Sequence, residues 1–148
     1  VLRQVTELGV AGIVLLSTER SVSRLDDDAR ADKKRVRWAR ILDEAARQSG
    51  RADTPSLDGP IRLEDYLSHS VARRRLVLHP VDGAPFPTNV GDAGVDVLVG
   101  PEGGFSPREL EALTRADVTR ATLRSPVLRT ETAAVVASAL ALAAVGAL

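Results

Sequence analysis

A chain of 148 residues, 44% of them apolar, is long enough for one domain with a real core and too apolar for disorder. It has no cysteine, which excludes a disulfide framework and cysteine metal sites, and its two histidines, His69 and His79, are too few for a dedicated zinc site. Twenty basic residues balance twenty acidic ones, so net charge argues neither for nor against nucleic acid, and the distribution has to decide.

Val1–Leu8 reads as a helix end stopped by Gly9, and Gly12–Ser17 as a buried strand. Asp26-Asp27-Asp28 marks a turn and a helix start, and Ala29–Gln48 fits a long helix with Val36, Ile41, Leu42 and Ala45 as its apolar positions and Gly50 as its stop. Arg51–Pro60 reads as a loop, Ile61–Ser70 as a short helix, and Arg75–Leu78 as a strand ending at His79-Pro80. Proline and glycine clusters make Val81–Gly94 largely a loop. Val95–Val99 is a strand, Pro107–Ala116 a helix, Thr119–Leu123 a strand and Thr130–Leu148 a final helix with Thr130 as candidate N-cap. Strands alternating with helices imply an α/β fold with a parallel sheet flanked by helices. Only Trp38, Tyr66, Phe86 and Phe105 are aromatic, so the core must come from Val, Leu, Ile and Ala. The final apolar run from Ala133 has 16 residues, short of the roughly 20 that cross a bilayer, and reads as a buried or interface helix. No signal peptide is visible, and the abrupt start at Val1 reads as the edge of a longer protein.

Two segments carry the chemistry. Leu98-Val-Gly-Pro-Glu-Gly-Gly-Phe-Ser106 is an apolar run that breaks into a glycine loop and opens a helix, with Ser106 as N-cap, Pro107 at the first helical position and Glu109 completing a capping box. Val127-Leu-Arg-Thr-Glu-Thr-Ala133 repeats the strand–loop–helix pattern. Two such loops can meet at the strand ends of a parallel sheet, where α/β proteins bind ligands. The first loop lacks the Gly-Lys-Ser/Thr ending of a phosphate loop and does not follow the dinucleotide pattern Gly-x-Gly-x-x-Gly. Glu102 would repel a phosphate there and suits a ligand with an amine, a hydroxyl or a positive charge, such as an adenosine without phosphates. A plain tight turn, with glycines for geometry alone, fits the same residues. Arg129 can hold a carboxylate or phosphate, or pair with Glu131 or Glu102. Between Arg30 and Arg51, eight basic residues stand against three acidic ones, a local excess of five, and Arg73-Arg74-Arg75 forms a second cluster. These can face nucleic-acid phosphates or simply solvent.

Gly100-Pro101-Glu102-Gly103-Gly104-Phe105-Ser106 followed by Leu128-Arg129-Thr130-Glu131-Thr132-Ala133 resembles the RsmE family of bacterial 16S rRNA uridine-N3 methyltransferases. Thr6-Glu7-Leu8-Gly9-Val10 with Ser17-x-x-Arg20-Ser21, Trp38-x-x-Ile41 with Glu44-Ala-Ala-x-Gln-Ser-Gly-Arg51, and Leu78-His79-Pro80 add to the resemblance, which spans Thr6 to Ala133. It implies a SPOUT-type fold with a C-terminal trefoil knot over residues 1–148, a homodimer packed through the knot, S-adenosyl-L-methionine as methyl donor, a uridine of the small ribosomal subunit's 16S rRNA as acceptor, and a cytoplasmic setting without membrane attachment. It also implies an N-terminal PUA-like RNA-binding domain, which this chain does not include. By the same resemblance, Leu78, His79, Gly100, Pro101, Glu102, Gly103, Gly104, Leu123, Leu128, Arg129 and Thr130 line the cofactor cleft. Arg129 is the candidate for anion stabilisation or phosphate anchoring, with Glu7 and Glu44 as further candidates for the proton step or the dimer. Arg37, Arg40, Arg51, Arg73 and Arg74 would face rRNA phosphates. The family usually has glycine after the leucine of the last knot strand; Arg124 stands there, and a side chain at that point is expected to reshape the adenine side of the pocket. Two other readings share these residues: a non-catalytic RNA-binding or dimerisation module, and a knotted methyltransferase for tRNA or another rRNA base.

Overall fold

The computed structural model describes residues 1–21, 28–69 and 72–148. Its elements run α1 (Leu2–Leu8), β1 (Gly12–Ser17), α2 (Asp28–Gln48), β2 (Ser56–Arg62), α3 (Leu63–Ser68), β3 (Arg74–Leu78), β4 (Ala84–Pro85), β5 (Val95–Leu98), α4 (Pro107–Arg115), β6 (Thr119–Thr122) and α5 (Thr130–Ala144). Among the described residues every strand pairing is parallel, as the strand–helix alternation implies, but the strands form two sheets. One pairs β1 with β2; the other has the order β4-β6-β3-β5.

The central strand β3 carries Leu76 and Val77, which are fully buried. Around Val77 the core closes with Leu63, Leu98, Phe105, Leu113 and Val118. α2 buries Leu42, Ala45 and Ala46 on one face; Val36, an expected apolar position, is 72% exposed. α1 buries Val5 and Thr6 and packs against both α2 and α5. α5 buries only small residues, Ala137, Ala141 and Ala144, which allows close backbone approach. No described helix is long and apolar enough to cross a membrane.

Two expected elements differ. The segment read as loop from Arg51 to Pro60 contains β2, whose signal was hidden by Pro55, Gly59 and Pro60. The strand tolerates Pro60 because it pairs on one side only, and the register slips there, between Val14 and Leu16 of its neighbour. β2 then extends to Arg62, so the short helix starts at Leu63 rather than Ile61. Asp26 and Asp27 of the expected turn, and Ser70 at the expected helix end, lie outside the described residues.

α1 and α2 end alike. Gly9 and Gly50 take left-handed φ values of 104° and 72°. In each, the next residue's N–H folds back five positions, Val10 to the Val5 carbonyl and Arg51 to the Ala46 carbonyl. Arg51 then reaches across to α1: its Nη1 donates to the carbonyls of Thr6 (2.8 Å) and Val10 (3.0 Å), and Nη2 pairs with Asp53. Its side chain is only 13% exposed. The expectation that Arg51 faces RNA phosphate is therefore corrected: its donors are taken by the end of α1.

Candidate functional site: a cleft at the strand ends

β5-β3-β6 are adjacent and parallel, so their carboxyl ends open on the same side, and the loops that leave them meet there. The glycine loop leaves β5. The N–H of Gly104, at φ 67°, donates to the Pro101 carbonyl at 2.8 Å and closes a tight turn. Phe105 is buried beneath, and its ring lies so close to Gly100 that a Cβ there would come within 3.1 Å of it. A side chain at 100 would therefore press on the loop's own phenylalanine, which would have to shift by a few tenths of an ångström. It ends in the expected capping box: Ser106 Oγ accepts from the Glu109 N–H at 3.2 Å, and Glu109 Oε2 accepts from the Ser106 N–H at 2.7 Å.

The second loop leaves β6 and opens α5. Thr130, Glu131 and Ala133 of its first turn line the cleft, and the first turn of a helix carries backbone N–H groups without an intrahelical partner. The N-cap is Arg129, with no side-chain capping bond; Thr130, expected in that role, instead donates its hydroxyl to the Gly100 carbonyl at 3.3 Å. That bond joins the two loops. Arg124 adopts φ 51°, the left-handed region that explains why glycine is usual there. Its side chain is exposed and does not line the cleft, so the expected reshaping of the pocket by Arg124 is corrected.

β3 contributes Leu78 and His79. The His79 N–H donates to the Ala121 carbonyl at 2.9 Å, and His79 Nδ1 accepts from the Asp82 N–H at 2.8 Å. An acceptor at Nδ1 places the proton of a neutral imidazole on Nε2. His79 is thus set up as a donor. Asp82 is held in turn by Arg120 at 2.7 Å.

Together these loops line a cleft of about 830 Å³. It takes in every residue assigned to the cofactor from sequence: Leu78, His79, Gly100, Pro101, Glu102, Gly103, Gly104, Leu123, Leu128, Arg129 and Thr130. The volume suits a nucleoside-sized ligand. The donor set suits one too: leucine side chains for a flat apolar ring, backbone groups of two loops for its polar edges, and carboxylates at Glu102 and Glu131 for hydroxyl or ammonium groups. Arg129 forms no ion pair with Glu102 or Glu131, the bland alternative raised by the sequence. Arg20 was not assigned to the cleft from sequence; it lines the cleft and donates from Nη1 to the Gly103 carbonyl at 2.7 Å. The only signal for it was its place in Ser17-x-x-Arg20-Ser21.

Glu7 and Glu44 do not join the cleft in this chain. Glu44 lies on α2 and is paired with Arg40 (3.1 Å) and Arg3 (3.9 Å), so it is held by neighbouring cations away from the strand ends. Glu7 is exposed on α1. A proton-transfer role for either within one chain is thereby corrected.

The basic residues divide. Arg37, Arg40 and Arg74 are exposed, and Arg73 is exposed while pairing with Asp96 at 3.3 Å. Arg75 breaks from its cluster and turns inward. It donates to the carbonyls of Leu67 (3.3 Å), Tyr66 (3.3 Å) and His69 (2.6 Å) at the end of α3, and its guanidinium stacks 4.8 Å from the Tyr66 ring. Tyr66 donates to Asp96 Oδ2 at 2.9 Å. Burial, and then that carboxylate, push the Tyr66 phenol up to about 12.

Fold and site define an α/β domain with a nucleoside-sized cleft at the carboxyl ends of its parallel strands. The chain belongs to the RNA methyltransferase domain family, whose model matches residues 1–142. It is similar to ribosomal RNA small subunit methyltransferase E of Aquifex aeolicus, 36% identical over 135 residues that cover 91% of this chain and 58% of that protein. Among solved structures it is similar to a Legionella pneumophila protein described as a methyltransferase with bound cofactor SAM, at TM-score 0.88 and 34% identity, covering 97% of this chain and 59% of that one. It is also similar to the ribosomal RNA small subunit methyltransferase E of Neisseria gonorrhoeae bound to S-adenosyl methionine, at TM-score 0.85 and 29% identity, covering 95% and 58%. The chain therefore spans somewhat over half the length of these relatives.

Proposed function

We propose that this chain is the donor-binding and catalytic domain of a methyltransferase that transfers the methyl group of S-adenosylmethionine to N3 of a uridine in 16S rRNA. One observation carries the reading: the glycine loop and the Arg129–Thr130 loop, remote in sequence, meet in one cleft and are bonded to each other through Thr130. The names of the relatives support the rRNA substrate, and the SAM bound to two of the similar structures supports the donor.

When bound, S-adenosylmethionine supplies a methyl group already activated by its sulfonium. The residues of the chain are left with binding and orientation. Leu78, Leu123 and Leu128 offer apolar surface to the adenine and exclude water from it. Backbone groups of Gly100–Gly104 and the first turn of α5 meet its polar edges. Glu102 and Glu131 favour a ligand carrying positive charge. The uracil N3 gives up its proton to solvent before or during attack on the methyl group, and Arg129 would stabilise the uracil anion this leaves until methylation neutralises it. His79 holds its proton on Nε2 and orients rather than accepts. Arg37, Arg40, Arg73 and Arg74 bind rRNA phosphates, adding affinity without reading sequence.

The same reading includes a trefoil knot closed by the β6–α5 segment and a homodimer packed through it. The exposed Leu140 on α5, at 39%, and Val145 at its C-cap, at 40%, offer apolar surface for a second copy. The test of the function is methyl transfer from labelled S-adenosylmethionine to small-subunit rRNA, followed by nucleoside analysis. Label in 3-methyluridine is expected; label confined to another nucleoside, or to tRNA, would replace the acceptor.

A further inference from the structure

Glu109 sits in the first turn of α4 and is 2% exposed. As part of a capping box it needs only one carboxylate oxygen. The other is used elsewhere: Oε1 accepts the N–H of Glu19 at 2.8 Å, a residue 90 positions away in the turn that follows β1. That turn is closed on itself, with the Ser21 N–H on the Thr18 carbonyl (3.1 Å) and the Thr18 and Ser21 hydroxyls 2.7 Å apart. Its next residue is Arg20, which lies across the glycine loop and donates to the Gly103 carbonyl at 2.7 Å. A Cβ on Gly103 would stand 3.3 Å from Arg20 Cβ and 3.4 Å from Arg20 Cδ, so the arginine fills the space that the glycine leaves.

We propose that Glu109 and Arg20 act as a strut that sets the glycine loop for the methyl donor, with Glu109 as a positioning residue working through the Arg20 turn. This rests on the donor-binding reading above. The strut crosses from the β1–β2 sheet to the β4-β6-β3-β5 sheet, so the donor loop is fixed only when the two sheets are docked. Both ends of the glycine loop are then restrained, by Thr130 on the Gly100 carbonyl and by Arg20 on the Gly103 carbonyl. Both Glu109 oxygens accept N–H groups, so Glu109→Gln can keep one of these bonds and sets its amide NH₂ against the other donor.

The test uses four proteins: the unaltered chain, Glu109→Gln, Arg20→Ala and the double variant. Amide hydrogen exchange without ligand reads the loop directly. The Gly104 amide, bonded to Pro101, is expected to exchange about tenfold faster in each single variant, as loss of a charge-assisted bond implies. Titration with S-adenosylmethionine is expected to show a Kd about tenfold higher in each, and no further rise in the double variant, because both changes break one strut. Arg20 is exposed, so Arg20→Ala should keep its melting temperature, which separates a loosened loop from a loosened fold. Unchanged exchange at Gly104 in Arg20→Ala, or independent effects that multiply in the double variant, would overturn the strut. Absence of S-adenosylmethionine binding in the unaltered chain, with the exchange effects present, would remove the donor-binding reading and its link to the strut.

Discussion

Removing the Arg51 side chain separates a structural arginine from an RNA-binding one. Its Nη1 holds the Thr6 and Val10 carbonyls, which flank the left-handed turn at Gly9 where α1 ends. A hydrogen bond from a charged donor contributes about 1.5–3 kcal/mol when its partner is otherwise unsatisfied. The Thr6 carbonyl keeps its bond from Gly9, and water can reach part of the site, so the low end applies to each. The ion pair adds little, because Asp53 is 73% exposed. Arg51→Ala is therefore expected to cost roughly 2–4 kcal/mol. At this chain length that lowers the melting temperature by about 6–12 °C. Arg51→Lys, which keeps the charge but loses the fork, should fall between. Arg37→Ala, at an exposed position, should stay within about 0.5 kcal/mol. The assay is denaturant and thermal unfolding beside RNA binding at two salt concentrations. Arg37→Ala should weaken RNA binding and lower the salt slope by about one, and Arg51→Ala should not, once folded protein is compared. Unchanged stability in Arg51→Ala together with weaker RNA binding would refute the structural assignment.

Three further outcomes follow from the geometry. Arg124 holds a left-handed φ outside the cleft, so Arg124→Gly should raise stability by about 0.5–1 kcal/mol in chemical denaturation and leave S-adenosylmethionine affinity unchanged. Tyr66 is the only tyrosine, so phenolate absorbance reports it directly. Its phenol is held above its usual 10.0 at about 12, so its contribution is complete below pH 10 and is lost as pH rises to about 12 while the unfolded chain ionises first; Tyr66→Phe should flatten that decline. Thr130→Val removes the hydroxyl that joins the two cleft loops at 3.3 Å; it should cost about 1 kcal/mol or less of stability and weaken donor binding severalfold by calorimetry.

The cleft was legible because its loops carry their own punctuation. Glycines, Ser106, Pro107 and Glu109 fix the turn and the helix start from local chemistry alone, and each of the eleven residues assigned to the cofactor lines the cleft. β2 was not legible, since its proline and glycine content reads as loop unless its single-sided pairing with β1 is known. Arg51 and Arg75 read as surface charge because composition cannot reveal a carbonyl waiting at a helix end. Glu109 was read as completing the capping box of Ser106 and does so; its second oxygen serves Glu19, a contact that no local pattern encodes. Glu7 and Glu44 were weighed for the proton step or the dimer because α1 and α2 carry matching motifs, but those helices pack on each other away from the strand ends, which leaves only the dimer role.

The most direct measurement is calorimetric titration of the folded chain with S-adenosylmethionine. Saturable binding near one site per chain, weakened in Thr130→Val, is the predicted result. No saturable binding to a folded sample would contradict the central claim that the glycine and arginine loops form a donor pocket, and the non-catalytic RNA-binding module would take its place.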